Sequence, residues 1–370
     1  MGLLVNPVAG MGGTVGLHGS DGEEMQRLAA ALGALPCAEA RATVTLDLVR
    51  QEPVHWFVGP GSMGETVAKA IGLQHDVLVV PTGRMTSSRD TQACSAALAE
   101  LSVDLLVFAG GDGTARDVAA AVGTAVPALG IPAGVKMHSA VFGVTPRTCA
   151  VLISSMSSGR QLLMEEREVV DLDEDARRAG HLTSALFGHL LVPTSPQAVQ
   201  SRKLGSSVFD HESAEDVGRE VVSRLEPGCR YLLGPGTTVA AICTLLGLQG
   251  SLLGVDLLQD GRMLGVDLSE REILDHLSPR TFVVVAPVGG QGFLFGRGNQ
   301  QISAAVLKRV GLEGLLVVCP ERKLAALKGK PLLVDTGDAD LDARLHGYVR
   351  VISGWRREVM YPIAGTWRRA

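Results

Sequence analysis

The sequence has no excess of positive charge. Lys and Arg total 34 against 39 Asp and Glu, a net charge of −5 over 370 residues, so neither nucleic acid nor an anionic membrane is an expected partner. Apolar runs such as Leu105–Ala109 and Phe282–Ala286 are strand-sized, far short of the roughly 20 residues that span a bilayer. The six cysteines (Cys37, Cys94, Cys149, Cys229, Cys243, Cys319) include no close pair, which argues against a zinc site and a disulfide scaffold. Asn6-Pro7 is preceded by neither a basic n-region nor a clear cleavage site, so the expected location is cytoplasmic. Asparagine occurs only at Asn6 and Asn299, aromatics reach just 4%, and no Walker A pattern is present. What is abundant is Ala, Val, Leu and Gly: 46% of residues are hydrophobic and 20% charged, a globular composition long enough for two domains.

Up to about residue 135, apolar runs at 3–5, 54–58, 77–80, 105–109 and 128–131 alternate with helix-like segments at 23–32, 64–71, 88–101 and 115–122. Continuously apolar strands separated by helices predict an α/β domain with a doubly wound parallel sheet. Its ligands would gather at the carboxyl ends of the strands, where the Gly and Pro clusters fall. A helix at 146–156 and the small polar run 154–159 set the expected boundary, giving domains of 1–155 and 156–370. The second domain reads as mixed. Runs at 168–172 and 181–192 are joined through Asp173-Glu174-Asp175-Ala176, and those at 252–258 and 263–268 flank Asp260-Gly261, a hairpin signal. Helices are expected at 213–225, 237–246, 303–310 and 322–327, and two last strands, 348–352 and 358–363, are free to pack back on the first domain.

Five stretches carry residues suited to chemistry. In the first, the strand 105–109 delivers Gly110-Gly111-Asp112-Gly113-Thr114. Two glycines let a phosphate approach the backbone, a carboxylate follows, and Thr114 is placed to cap the next helix. Beside phosphates a carboxylate is repelled unless it takes a proton from an attacking hydroxyl or helps to hold Mg²⁺. Asp112 therefore suits the role of base or hydroxyl-orienting group better than that of phosphate binder. The other reading is a tight Asp-Gly turn without a ligand.

The remaining four are less specific. Asn6 to Gly13, with Gly10 and Gly12, can form a concave run of amides or a plain glycine loop. Lys136 supplies positive charge for a phosphate, and His138 a ring that takes up or releases a proton, unless it is a hydrogen-bonded histidine at a helix start. Gly234, Gly236, Thr237 and Thr238 form a strand-to-helix turn that can hold an anion or simply be capped by Thr237. Arg297 can grip a phosphate with two bonds, and Asn299 sits in the same glycine cluster, where it can also serve a left-handed turn. Gly59-Pro60-Gly61-Ser62-Met63-Gly64 formally fits a dinucleotide fingerprint, but no acid closes the next strand, which runs into Pro81-Thr82-Gly83-Arg84. Arg202-Lys203 reads as a solvated basic loop.

Gly-Gly-Asp-Gly-Thr after a strand resembles the signature shared by NAD kinases, diacylglycerol kinases and sphingosine kinases. From Asn6 to about Ile363 the chain resembles the ATP-NAD kinase-like family related to acetoin-catabolism protein X. The resemblance implies an ATP-dependent phosphotransferase that uses Mg²⁺ and binds nucleotides between its two domains, with Asp112 at the acceptor hydroxyl. Gly110, Gly111, Gly113 and Thr114 would contact nucleotide phosphates. NAD is the implied acceptor, and a homo-oligomer the implied assembly. Asn6-Pro7 is similar to the opening of the lipid kinases, and Gly234–Ala240 to a Thr-rich segment of NAD kinases. Two departures bear on the acceptor: Lys136 and His138 stand where those kinases carry Asn-containing segments, and no Asn-acid pair exists to hold an NAD adenosine. The alternatives are a kinase of another small-molecule or lipid hydroxyl, and a nucleotide-binding accessory protein without transfer.

Overall fold

Five strands, β1 (Gly2–Val5), β2 (Trp56–Val58), β3 (His75–Val77), β4 (Leu106–Gly110) and β5 (Ala128–Pro132), form an all-parallel sheet in the order β3-β2-β1-β4-β5. Leu3–Val5 and Leu105–Ala109 are wholly buried, as continuously apolar strands covered on both faces must be. The computed structural model describes residues 1–17, 23–80, 86–172, 184–194 and 209–365. The expected segments 81–84, 173–176 and 202–203 lie outside the described residues, 203 included.

Two pairs of helices clothe this sheet: α2 (Ala38–Val49) packs with α6 (Pro146–Ser157), and α4 (Ser88–Glu100) with α5 (Asp112–Val122). The remaining helices of this half are α1 (Glu23–Ala31) and α3 (Glu65–Ala70). Sequence reading missed α2. Its Thr43-Val44-Thr45-Leu46-Asp47-Leu48 run alternates like a strand and is β-branched, yet Ala38, Ala42, Thr45, Leu46 and Val49 are its buried residues, at helical spacing. Two other positions shift: β3 falls before Leu78 rather than at 77–80, and α5 begins at Asp112 rather than at 115.

The antiparallel hairpin β6 (Leu163–Leu172) and β7 (Ser184–Thr194) packs on α5. It belongs to the first of two compact units, which runs to Arg202, past the boundary expected near 155. Beside a register shift between Val169 and Val170, Val170 offers both its C=O (2.9 Å) and its N–H (3.0 Å) to the Ser139 hydroxyl.

The second unit holds residues from Lys203 onward together with Gly12–His18 and Ala31–Ala34. Its strands are β8 (Arg230–Leu233), β9 (Asp256–Gln259), β10 (Arg262–Gly265), β11 (Thr281–Val285), β12 (Phe293–Phe295), β13 (Leu315–Val318), β14 (Leu332–Val334), β15 (Gly347–Gly354) and β16 (Arg357–Ala364). They form one mixed sheet in the order β10-β9-β8-β11-β13-β15-β16-β14-β12. The hairpin between Gln259 and Arg262 turns through Asp260 (φ 49°) and Gly261 (φ 71°), the pair of positive φ angles that a tight two-residue turn needs. Both C-terminal strands, β15 and β16, lie inside this sheet. The helices are α7 (Phe209–Ser223), α8 (Thr237–Leu245), α9 (Glu270–His276), α10 (Ala304–Val310), α11 (Glu321–Ala326) and α12 (Ala339–Arg344).

A buried acid makes this unit sensitive to pH. Burial, with Asp335 and Asp338 nearby, pushes the Asp342 carboxyl above its ordinary value despite its bonds from Thr336. The folded state thus binds this proton more tightly than the unfolded chain. Its contribution favours folding on the acid side and is lost as pH rises through the raised value. Both bonds, from the Thr336 amide (3.1 Å) and hydroxyl (2.6 Å), end on Oδ1, which an asparagine retains. Asp342→Asn is expected to raise the thermal midpoint at pH 7, with the gap over the parent closing as pH is lowered towards 4. A lower midpoint at pH 7 would contradict this account.

Candidate active site

Strand order singles out one place along the sheet before any side chain is considered. The order of strand addition reverses between β1 and β4, and at such a switch point the loops leaving the two strands diverge, one to each face. Val5 pairs with Ala109, so Asn6, which follows β1, comes level with Gly110, the last residue of β4.

The turn from β4 into α5 is built on close approach. A side chain at Gly110 would collide with that of Thr114. A Cβ at Gly111 would lie 3.0 Å from the Gly134 Cα, and one at Gly134 2.7 Å from the Gly111 Cα. Two glycines back to back thus bring the loop after β5 against the motif. Helix α5 is capped by Gly111 in extended conformation, so Asp112 is its first residue, where the partial positive charge of the helix end favours a carboxylate. Gly113 follows within the first turn. Thr114 does not cap the helix as expected, because the helix begins two residues before it. Its buried hydroxyl instead accepts a bond from Asn6 Nδ2 at 2.9 Å, tying the end of β1 to the motif.

Asp112 is buried, its side chain 4% exposed. Oδ2 accepts the His138 backbone N–H at 2.5 Å and faces His138 Nδ1 at 3.2 Å, while Oδ1 accepts the Ser139 N–H at 3.0 Å. Burial alternates along this segment: Lys136 and His138 are half-buried, and Val135, Met137 and Ser139 are buried. Ser139 passed unnoticed in the sequence, where the only signal was a hydroxyl next to His138. Asn6 Oδ1 also accepts the Val8 N–H at 3.2 Å. Gly10 adopts φ 81° and packs its Cα against the Cys37 thiol and the Ala133 carbonyl, so its missing side chain serves packing. Gly12 belongs to the other unit.

Gly59 and Gly64, from the dinucleotide-like run, bridge to each other, and a Cβ at Gly59 would lie 2.7 Å from the Met63 carbonyl. The turn is folded on itself.

In the second unit Gly234 follows β8, and Gly236, at φ 114°, is the N-cap of α8. Thr237 is therefore the first helical residue rather than the cap. The buried Thr238 hydroxyl accepts a bond from Lys323 Nζ at 3.0 Å. Lys323 lies 85 positions away in α11, and nothing local announces it. Nearby Cys319 is buried, which pushes its thiol up to about 12 and leaves it unreactive. Arg297 points inward: its guanidinium pairs with Asp335 at 2.9 Å, both side chains 4% exposed, and stacks over the Phe293 ring at 4.4 Å. Asn299 accepts the Gly296 N–H at 3.1 Å and donates to the Leu294 carbonyl at 2.8 Å. Both residues hold the glycine-rich turn together.

The resemblance implies Mg²⁺. Among the described residues no three His, Cys, Asp or Glu side chains are grouped to hold a metal, and the Asp112 oxygens face N–H donors. This ion commonly binds through substrate phosphates and keeps several waters.

A family model for the ATP-NAD kinase N-terminal domain matches residues 2–160, and one for the ATP-NAD kinase C-terminal domain matches residues 227–363. Searches of curated proteins and of solved structures found no match.

Proposed function

The chain belongs to the ATP-NAD kinase family, and from that premise we propose that it transfers the terminal phosphoryl group of ATP to a hydroxyl of a small molecule, with NAD the first acceptor to try. One observation carries this reading: Asp112 stands buried at the sheet's switch point, at the start of α5 and in a turn whose glycines let distant backbones pack closely around it. Phosphoryl transfer asks little covalent chemistry of the protein. It asks for fixed dipoles and an organised carboxylate, and the start of α5 with Asp112 as its first residue supports that reading. Asn6, Gly110, Gly111, Gly113, Thr114 and Lys136 would line the phosphate side, with Gly234, Gly236, Thr237 and Thr238 as a second anion-binding turn.

Another hydroxyl acceptor is the second reading, favoured by the lack of any Asn-acid pair in the sequence. Incubating the purified protein with ATP, Mg²⁺ and NAD and following NADP formation tests the first. Product with a sugar, polyol or lipid in place of NAD supports the second. Nucleotide binding without product from any acceptor would defeat both and leave an accessory role.

A further inference from the structure

We propose that His138 is the group that takes the proton from the acceptor hydroxyl, and that Asp112 is the positioning residue behind it. The inference rests on the phosphotransferase reading above.

An ionised carboxylate offers about four lone-pair directions, and Asp112 has given three of them to the His138 amide, the His138 ring and the Ser139 amide. The residue is 5% exposed, so a substrate hydroxyl has little of it to meet. His138 is placed the other way round. Nδ1 faces a group that can only accept, which puts the ring hydrogen on Nδ1 and leaves the lone pair on Nε2. Among the described residues Nε2 has no hydrogen-bond partner, and the ring keeps 14% exposure. The backbone that carries the ring is itself fixed. The His138 and Ser139 amides are tied to Asp112, and the Ser139 hydroxyl is bonded to Val170. A buried carboxylate behind an imidazole whose outer nitrogen has no partner among the described residues is the arrangement that activates hydroxyl nucleophiles elsewhere.

In the step, the acceptor oxygen bonds to the γ-phosphorus of ATP as the bond from that phosphorus to the β,γ-bridging oxygen breaks. The hydroxyl proton passes to Nε2, and ADP leaves with the electron pair of the broken bond. The imidazolium, held against the Asp112 carboxylate, then returns its proton to solvent.

His138→Ala removes the ring but keeps the backbone N–H that Asp112 accepts. In the full chain it is expected to lower kcat by about 10²- to 10⁴-fold, with the KM for ATP little changed, and added imidazole is expected to restore part of the turnover. Nitrogen-15 NMR of the parent should show the ring protonated on Nδ1 and bare on Nε2. A folded His138→Ala protein with parental kcat, lost turnover that imidazole does not restore, or a ring protonated on Nε2 would each overturn the assignment. A parent protein that phosphorylates no acceptor defeats the transferase reading, and this one with it. Parental activity matched by His138→Ala defeats this one alone.

Discussion

Asp112→Asn is expected to cut kcat by about 10²- to 10⁴-fold while the protein still folds. Asparagine keeps one carbonyl oxygen, so the Ser139 amide can retain its acceptor. Where Oδ2 stood, an NH₂ group would then face two donors, the His138 amide and Nδ1. The conflict has two outcomes. Either the side chain turns over and abandons Ser139, or the imidazole moves its hydrogen to Nε2 and loses the lone pair that faces outward. Each disables proton transfer. An unmet buried donor costs about 1–3 kcal/mol, against a total stability of about 5–15 kcal/mol for a typical domain, so a folded variant is expected. Initial rates alongside thermal denaturation check both halves. A folded Asp112→Asn protein with undiminished turnover would remove this carboxylate from the machinery.

Arg297→Ala is expected to destabilise the second unit by about 3–5 kcal/mol, because it leaves the Asp335 charge buried without its ion-pair partner. The guanidinium also covers the Phe293 ring, so its removal exposes apolar surface as well as a charge. Replacing both members with apolar residues, Arg297→Met with Asp335→Leu, should recover most of the loss, since no uncompensated charge then remains. Urea denaturation of the two variants separates this account from the phosphate-gripping role suggested by the sequence. A ligand-binding arginine would raise the KM for ATP and leave the denaturation midpoint where it was.

The contrast between Arg297 and Asp112 shows what kind of information a sequence holds. Both were picked out by glycine-rich surroundings and by charge. The Asp112 segment also had a strand before it and a helix after it, a local pattern that constrains where the side chain starts, and the structure keeps it. Arg297 had only its neighbours, and its direction is decided by Asp335, 38 positions on. Lys323 and Thr238 meet across 85 positions with no local mark on either.

Local order was therefore legible wherever it repeats along the chain. The apolar runs of β1, β4 and β5, the Asp260-Gly261 turn and the Gly-Gly-Asp-Gly-Thr junction each follow from the steric and solvation preferences of neighbouring residues. Helix α2 was hidden because its β-branched, alternating sequence favours the wrong period until a sheet face selects the right one. Tertiary structure alone decided that Gly134 would lie against Gly111, that Ser139 would bond to Val170, and that His138 would stand in front of Asp112 across 26 positions. Those pairings depend on strand order and on close approach between distant backbones, and neither is written in the spacing of residues along the chain.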